Sequence, residues 1–265
     1  MASGLRPSDA VKISKALSYT LRHGAEKEGF KLLPGGYLYV DDILQKKRFH
    51  TVVTVEDVQA IVETNDKKRF TMILDEESQR LKIRANQGHS LQVDDLDLRP
   101  VENGEEFPIV IHGTYFKYWQ FIAHEGLKRM NRNHIHFAAG FPSQDGVISG
   151  MRSSCQIIIY LDLPKALKGG LKFFLSSNNV ILSPGNESGI IDPQFFAQAV
   201  DRKSGKKLPY RGSAEVLDKR SDGLLEEFSG DIASCGQSMI VTADDIDQEF
   251  QKKSRRKKKN KQLDS

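Results

Sequence analysis

The sequence predicts an α+β protein made of a helix-rich first lobe, a mostly β second lobe and a basic tail. Early in the chain the apolar residues recur at helical spacing, whereas later they form short runs between Gly, Pro and Asn, as strands do. An acidic stretch with two prolines, residues 94–108, separates the two patterns and predicts a linker. Residues 251–265 hold eight Lys or Arg and one acid, which predicts a disordered C-terminal tail.

The first lobe, residues 8–93, is predicted to contain three helices and one β-hairpin. Capping residues and helical apolar spacing predict one helix from Ser8 with a stop at Gly24 and another from Thr54, in a capping box with Asp57. Residues 40–44 are interpreted as a short strand end that runs into the remaining helix. Residues 69–74 and 80–85 predict two strands joined by a polar loop. This order is typical of a winged-helix module, a fold common in nucleic-acid recognition, although a fold alone does not give a function.

The second lobe, residues 109–200, is predicted to be mixed and mostly β. Its predicted strands are short apolar runs at residues 109–112, 135–138, 155–163, 171–175 and 180–182. One helix is predicted over 118–125 and a closing helix over 195–200. Residues 201–250 carry scattered apolar residues and are interpreted as an appendage without an assigned fold.

Composition narrows the class of protein. The longest apolar runs are far shorter than the roughly 20 residues that span a bilayer, and the first residues lack the apolar stretch of a secretory signal. Two cysteines, Cys155 and Cys235, are too few for a disulfide framework or a structural zinc site. We therefore expect an intracellular protein, cytoplasmic, nuclear or both, without membrane contact and monomeric by default.

The positive charge of the chain is concentrated in the tail. The net charge of +4 becomes −3 when the tail's eight basic residues and one acid are left out. Such a tail binds nucleic acid without sequence preference, serves as a nuclear address or keeps the protein soluble, and these three interpretations stay open.

Common cofactor and nucleophile motifs are absent from the sequence. It has no Gly-x-Gly-x-x-Gly after a strand, no Gly-x-x-x-x-Gly-Lys-Ser/Thr and no Gly-x-Ser-x-Gly. His134 and His136 share one face of a predicted strand, as two metal ligands would. No Asp, Glu or Cys lies beside them, so we expect no metal site.

Basic clusters lie where predicted elements end. Arg22 and His23 end a helix, Arg84 closes a hairpin strand, residues 112–114 leave one strand and Arg152 precedes another. Converging arginines suit a phosphate, because the guanidinium fork matches its oxygens. The spacing leaves open whether these residues converge or are ordinary surface residues.

Eight stretches of the chain carry a resemblance to a known family. They lie at residues 17–23, 41–44, 66–70, 83–90, 112–114, 134–138, 150–152 and 179–185, and the most specific reads Arg-Ala-Asn-Gln-Gly-His-Ser from Arg84. In these residues, over about 10–200, the chain resembles the RNA 2′-phosphotransferase family, the tRNA 2′-phosphotransferases. Tyr37 is a departure, because the family more often carries Trp there, but an aromatic residue is kept.

The resemblance implies an enzyme that removes the internal 2′-phosphate left at a tRNA splice junction. NAD is consumed, and the products are 2′-hydroxyl RNA, nicotinamide and ADP-ribose 1″,2″-cyclic phosphate. It also implies a winged-helix RNA lobe joined to an ADP-ribosyltransferase-like lobe, with the site between them.

The resemblance also implies which residues form the site. The implied catalytic residues are Arg22, His23, Arg84 and Arg152, and the implied NAD-binding residues are His112, Gly113, Thr114 and His136. We expect the guanidinium groups of Arg84 and Arg152 to face one cavity. The guanidinium groups neutralise the phosphate, so no metal is required.

Two other functions stay open from the sequence. An ADP-ribosyltransferase that modifies terminal nucleic-acid phosphates or protein would use the same residues and stop after the first transfer. A non-catalytic nucleic-acid-binding protein would depend on the winged-helix pattern and the basic tail alone. The presence of all four implied catalytic residues argues against this last interpretation.

Overall fold

Helices and strands in the computed structural model follow the two patterns of the sequence. All residues that the structure describes belong to one compact unit, and they are 5–46, 49, 53–141, 151 and 154–213. No helix in these ranges is long and apolar enough to cross a membrane. The predicted tail, most of the predicted appendage and Arg152 lie outside the described residues.

The first lobe consists of three helices packed against a small antiparallel sheet. Its elements are α1 (Pro7–Tyr19), β1 (Leu38–Tyr39), α2 (Val40–Leu44), α3 (Val55–Glu63), β2 (Phe70–Leu74) and β3 (Leu81–Ala85). β3 lies in the middle of the sheet, with Ile83 opposite Leu38 on one side and Met72 on the other. Apolar side chains from helices and sheet, among them Leu17 and Ile83, are fully buried and form the core of this lobe.

Two helix starts show how capping residues set boundaries. α3 begins as predicted, because Thr54 Oγ1 accepts from the Asp57 N–H at 3.2 Å and the Asp57 carboxylate accepts from the Thr54 N–H at 3.0 Å. The predicted N-cap at Ser8 is wrong, because α1 begins with Pro7 and has Arg6 as its N-cap. Proline is favoured in the first helical position, since its fixed φ suits a helix and its missing N–H is not needed there.

The second lobe is built on a seven-stranded antiparallel sheet. Its elements are β4 (Leu98–Pro100), β5 (Ile111–Thr114), α4 (Phe116–Glu125), β6 (Leu127–Lys128), β7 (Ile135–Ala138), β8 (Ile157–Leu161), α5 (Leu163–Lys168), β9 (Phe174–Ser176), β10 (Val180–Ser183), β11 (Ile190–Ile191) and β12 (Phe196–Asp201). The strand order is β12-β8-β5-β7-β10-β9-β4, and β6 pairs with β11 apart from this sheet. Phe137, Ile159 and Ile181 lie fully buried in its core.

The closing segment of the second lobe differs from its prediction. The helix predicted over residues 195–200 is wrong. Phe195 ends a short 3-10 turn, and the residues that follow it form β12. β12 pairs along the whole of β8, from Phe196 opposite Leu161 to Asp201 opposite Ile157. The pairing with β8 satisfies the backbone N–H and C=O groups of β12. Local apolar spacing predicts a helix because it does not include this distant partner.

The stretch predicted as a linker, residues 94–108, contains a strand. β4 pairs with β9 at one edge of the large sheet, with Leu98 opposite Ser176 and Pro100 opposite Phe174. An edge strand tolerates proline, because one side of its backbone needs no partner. The stretch therefore connects the lobes and also joins the second sheet, and the division of the chain into lobes at 93 and 109 stays a prediction.

Four neighbouring strands, β12, β8, β5 and β7, each have one end on the same side of the large sheet. Because neighbouring strands run antiparallel, the end of β5 at Thr114, the starts of β7 and β8, and the end of β12 share this side. We call it the Thr114 end. Backbone bonds continue just beyond the strands, since the Gln156 N–H donates to Thr114 O and the Arg202 N–H donates to Gln156 O, both at 2.8 Å.

Candidate active site

A widened helical turn presents Arg22 and His23. α1 continues directly into a π-helical turn, Thr20–Gly24, which holds more residues per turn than an α-helix. Ser90 binds this turn, because its N–H donates to Arg22 O at 3.0 Å and its Oγ lies 2.9 Å from His23 Nδ1. π-helical turns are rare and are often found at functional sites.

Two nitrogens of the Arg22 guanidinium group are buried and have no partner among the described residues. In the described part of the chain its Nε and Nη2 atoms have no hydrogen-bond acceptor. Burial, followed by the positive charges of Arg132 and Arg69, lowers the pKa of Arg22 to about 10, so the group keeps its charge at neutral pH. A buried cation with unused donors is suited to binding an anion.

Arg84 lies on β3 and is held from two sides. Its guanidinium carbon lies 5.1 Å from the ring centroid of Tyr37, and its Nη2 donates to the Asp97 carboxylate at 3.1 Å. Arg84 is 6% exposed, and its Nε has no partner among the described residues. The Asp97 side chain is 70% exposed, so this ion pair joins a buried cation to a surface anion.

His89 is a buried residue outside the set of predicted site residues. It is 2% exposed, and neither of its ring nitrogens has a hydrogen-bond partner within the described ranges. Burial, and then the charge of Arg22, lowers the pKa of His89 to about 4, so the imidazole is neutral at pH 7. His89 belongs to the stretch 84–90, the most specific part of the family resemblance, and this is the feature of the sequence that could have indicated it. Arg84 is the one predicted site residue in that stretch.

Two adjacent glycines place Arg84 beside His89. Gly35 and Gly36 both have a positive φ, +74° and +76°, which glycine adopts without strain. A Cβ added to Gly35 would lie 3.6 Å from Arg84 Nη1, and one added to Gly36 would lie 3.5 Å from His89 Nε2. The same turn therefore contacts both side chains.

His112 and His136 lie on neighbouring strands of the second lobe. His112 Nδ1 donates to the backbone oxygen of His136 at 2.8 Å, which fixes the tautomer and leaves His112 Nε2 as an acceptor. Burial lowers the pKa of both residues, and both imidazoles are neutral at pH 7. The Nε2 atom of His136 is buried without a partner in the part of the chain that the structure describes.

Arg132 is a second residue outside the set of predicted site residues. After burial, its charge is the largest cause that lowers the pKa of His23 in the first lobe and of His136 in the second. The charge of Arg22 also lowers the pKa of His136. Electrostatic effects fall steeply with distance. The charges of Arg22 and Arg132 therefore act on histidines of both lobes, which indicates that these residues lie near one another.

Two asparagines, Asn133 and Asn178, join the two lobes directly through backbone and side-chain hydrogen bonds. Next to the site, the Asn133 N–H donates to His89 O at 2.9 Å and its Nδ2 donates to Leu91 O at 2.8 Å. At the turn between β9 and β10, the buried Asn178 donates from Nδ2 to Lys67 O at 3.1 Å. These bonds fix the first-lobe residues of the site against those of the second lobe.

The remaining predicted site residues lie on or near β5. Gly113 is tightly packed, because an added Cβ would lie 2.3 Å from Met151 Cγ, and Thr114 is buried. Arg152 follows Met151 in the chain but lies outside the described residues. The expected meeting of Arg84 and Arg152 therefore stays a prediction.

These residues form a cationic site with neutral imidazoles. Burial, and then Arg132 and Arg22, lowers the pKa of His23 to about 4. Among the described residues, no three His, Cys, Asp or Glu side chains gather as metal ligands. The guanidinium groups suit the oxygens of a phosphate, and a neutral imidazole beside them can accept or pass on a proton.

Comparisons with known proteins establish the family. The family described as RNA 2′-phosphotransferase, Tpt1/KptA family, matches residues 8–185. The chain belongs to this family. Its relatives include tRNA 2′-phosphotransferase 1 of Danio rerio, 47% identical over 71% of this chain and 84% of that protein, and that of Homo sapiens, 46% identical over 78% and 82%. The tRNA 2′-phosphotransferase of Saccharomyces cerevisiae is 42% identical over 65% and 78%.

The phosphotransferase match covers parts of both lobes. It includes the π-helical turn, β3 and the sheet strands that carry His112 and His136, and it names a family of transferase enzymes. It ends at Gly185, before β11 and β12. The last strand of the large sheet and the chain beyond it are therefore outside the family match.

Proposed function

We propose that this protein is an NAD-dependent tRNA 2′-phosphotransferase, which transfers the splice-junction 2′-phosphate of RNA to NAD and leaves a 2′-hydroxyl. The observation that carries the proposal is the Arg22 guanidinium, whose buried Nε and Nη2 atoms have no acceptor among the described residues and whose charge lowers the pKa of His23 and His136. A phosphate supplies the negative charge and the acceptors that this group lacks. The relatives named tRNA 2′-phosphotransferase support tRNA as the RNA.

The residues of the second lobe fit a dinucleotide. His112 Nε2 is an acceptor suited to a hydroxyl or amide N–H, the buried His136 Nε2 has no partner within the described ranges, and Arg132 suits a pyrophosphate. His112, Gly113, Thr114 and His136 would hold NAD, as the resemblance implies. When bound, NAD supplies the sugar carbon that accepts the phosphate as neutral nicotinamide leaves.

Arg22 and Arg84 bind the 2′-phosphate in this proposal, together with Arg152 as the resemblance implies. The bond between phosphorus and the RNA 2′-oxygen would break as a neighbouring ribose hydroxyl of the NAD-derived sugar forms a new bond to phosphorus, and negative charge would build on the non-bridging oxygens. Guanidinium groups that are already fixed by burial stabilise this charge without rearranging, which is the main source of rate enhancement in phosphoryl transfer.

His23 carries the proton that the RNA 2′-oxygen requires on leaving. In the free protein it is neutral, because its pKa is about 4. A bound phosphate places negative charge beside the ring and raises this pKa, so the ring then holds a proton to donate. Ser90 Oγ occupies His23 Nδ1 and leaves Nε2 for the substrate.

We further infer that residues 8–93 are a winged-helix RNA-binding lobe and that residues 109–200 are an ADP-ribosyltransferase-like NAD-binding lobe. Three helices with the sheet β1-β3-β2 support the first assignment, and the antiparallel sheet that carries His112 and His136 supports the second. A monomer that acts in the cytoplasm, the nucleus or both is consistent with this function, and the basic tail adds an RNA contact or a nuclear address.

A product assay tests the proposed function. The protein is incubated with NAD and an RNA that carries one internal 2′-phosphate, and nicotinamide release and the RNA mass are followed. We expect one nicotinamide for each phosphate lost. Arg84→Ala is expected to lower turnover by about 100-fold or more. The control Arg80→Ala removes a surface ion pair with Asp41 and is expected to leave turnover unchanged.

Two results would replace the proposal. RNA that keeps an added ADP-ribose would identify an ADP-ribosyltransferase that stops after the first transfer. RNA binding without any release of nicotinamide would identify a non-catalytic binding protein.

A further inference from the structure

A short hairpin after β12 carries a dense group of positive charges. The Asp201 N–H donates to Lys206 O at 2.9 Å and the Gly205 N–H donates to Asp201 O at 2.8 Å, which closes a tight turn. Gly205 has a φ of +73°, which suits glycine. We call residues 201–207 the basic hairpin. Four of its seven residues are basic and exposed, and they are Arg202, Lys203, Lys206 and Lys207.

The one acid in the basic hairpin is engaged within the turn. Asp201 accepts from the Lys203 N–H at 2.9 Å and from the Ser204 hydroxyl at 2.6 Å. The Ser204 bond is the largest cause that lowers the pKa of Asp201. Among the described residues, the ammonium groups of Lys203, Lys206 and Lys207 form no ion pair. Their charges are available to an anionic partner.

The basic hairpin has a fixed backbone. The Leu208 N–H donates to Ala199 O at 2.9 Å, and the Arg202 guanidinium donates to Cys155 O at 3.4 Å. The hairpin is therefore joined both to its own strand and to the segment before β8. A fixed backbone holds the Cα atoms of the lysines at set positions. Less conformational entropy is therefore lost when the lysines bind an anionic partner.

The basic hairpin lies at the same end of the sheet as the candidate active site. β12 ends at the Thr114 end, and β7, which carries His136 and follows Arg132, begins there. The strand order β12-β8-β5-β7 separates them by three strand spacings, which amounts to about 15 Å across the sheet. A short run of RNA backbone spans such a distance.

We propose that the basic hairpin binds the phosphodiester backbone of the substrate RNA beside the nucleotide that carries the 2′-phosphate. The proposal rests on the proposed function for the position of that nucleotide. Flexible lysines on a convex turn suit repeated phosphates and read no base sequence. The hairpin lies beyond residue 185, the last residue of the family match, so it adds an RNA contact to the site residues that this match includes.

Binding measured without NAD tests this proposal independently of turnover. The variant Lys203→Gln/Lys206→Gln keeps Asp201, Ser204 and Gly205, which form the turn. Fluorescence anisotropy compares a long 2′-phosphorylated RNA that extends to both sides of the junction with a trinucleotide that carries only the junction. We expect Kd for the long RNA to rise about three- to tenfold at low salt, and the slope of log Kd against log salt to fall by about 1.4 to 1.8, for two lost phosphate contacts. Kd for the trinucleotide stays the same.

A matched control removes two lysines from another part of the same lobe. Lys165→Gln/Lys168→Gln changes the net charge by the same amount, in α5, which begins at the end of the sheet opposite to the Thr114 end. We expect this variant to bind the long RNA as the unmodified protein does. Melting temperatures of both variants establish that each is folded.

Two outcomes would overturn the proposal. Equal weakening by the two variants would mean that overall charge, and not the hairpin, is responsible. Equal weakening of the long RNA and the trinucleotide would mean that the change acts on the site itself. If no RNA releases nicotinamide from NAD, the proposed function fails, but the anisotropy comparison still decides whether the hairpin binds RNA backbone.

Discussion

The Arg84 guanidinium donates to the Asp97 carboxylate at 3.1 Å, and the two residues differ strongly in exposure. Arg84 belongs to the core of the candidate site, whereas Asp97 lies in the segment between the lobes, just before β4. The carboxylate therefore occupies one donor of an arginine that the proposed function assigns to phosphate. A phosphate that binds Arg84 either displaces the Asp97 carboxylate or lies beside it, where the two negative charges repel each other.

Removing the Asp97 charge should strengthen phosphate binding. An ion pair with an exposed partner contributes about 0.2–1 kcal/mol, so Asp97→Asn is expected to lower Kd for 2′-phosphorylated RNA by about 1.5- to fivefold at low salt. Isothermal titration calorimetry measures this change. Asp95→Asn is the matched control, because it removes an exposed charge two residues away. Weaker binding by Asp97→Asn would show instead that Asp97 holds Arg84 in place for its ligand.

Acid should destabilise the folded protein through its buried histidines. The pKa of His89 is about 4 in the folded protein and near 6.5 when unfolded, so the unfolded state binds more protons between these values. Stability is therefore lost as the pH falls from about 6.5 towards 4, by at most about 1.4 kcal/mol per pH unit for this residue. Urea unfolding at several pH values measures the slope. His89→Gln, which does not titrate, is expected to make the slope shallower, and an unchanged slope would contradict the burial of His89.

A methyl group at residue 113 should destabilise the second lobe. In Gly113→Ala the new Cβ would lie 2.3 Å from Met151 Cγ and 2.9 Å from Cys155 Cβ, so the packing has to shift, at a cost of about 1–3 kcal/mol. Thermal unfolding measures this loss. In the double variant Gly113→Ala/Met151→Ala the clash is relieved, so the two effects are expected to sum to less than their separate values. Simple additivity would show that Met151 is not the residue in contact.

Loss of the Asn178 amide should loosen the contact between the lobes. Asn178 is buried, donates to Lys67 O and accepts from Ser176 Oγ at 2.8 Å. Asn178→Ala removes the donor to the Lys67 carbonyl and one acceptor of the buried Ser176 hydroxyl, which costs about 1–3 kcal/mol of the free energy of unfolding. Chemical denaturation checks this value. Ser177→Ala, at an exposed neighbouring position, is expected to have almost no effect, and equal effects of the two variants would contradict the role of the buried amide.

Local signals in the sequence predict some elements well and others not at all. The Thr54 capping box fixes the start of α3, and the apolar run 135–138 fixes β7, because both depend only on neighbouring residues. β12 is mistaken for a helix because its strand character comes from pairing with β8, about 40 residues away in the chain. The pattern of a short apolar run does not contain that partner.

The candidate site shows the same division between local and distant signals. The sequence selects Arg22 and Arg84 because a basic residue at the end of an element stands out and the resemblance supports it. It does not select His89 or Arg132, because their significance depends on burial and on charges in the other lobe. Burial and electrostatic surroundings depend on the folded structure, so the sequence does not reveal them. The catalytic and NAD-binding roles stay predictions that the product assay and the variants test.

The π-helical turn at the end of α1 links the chemistry of the site to an irregularity in the first helix. Deleting one residue from Thr20–Gly24 would restore ordinary α-helical winding and is expected to make α1 more regular. The same deletion would rotate every later side chain by about 100° around the axis, since an α-helix has 3.6 residues per turn. The arginine and histidine would then point away from Ser90. Engineering for a more stable first helix and preserving a working phosphate pocket are therefore opposing aims in this protein.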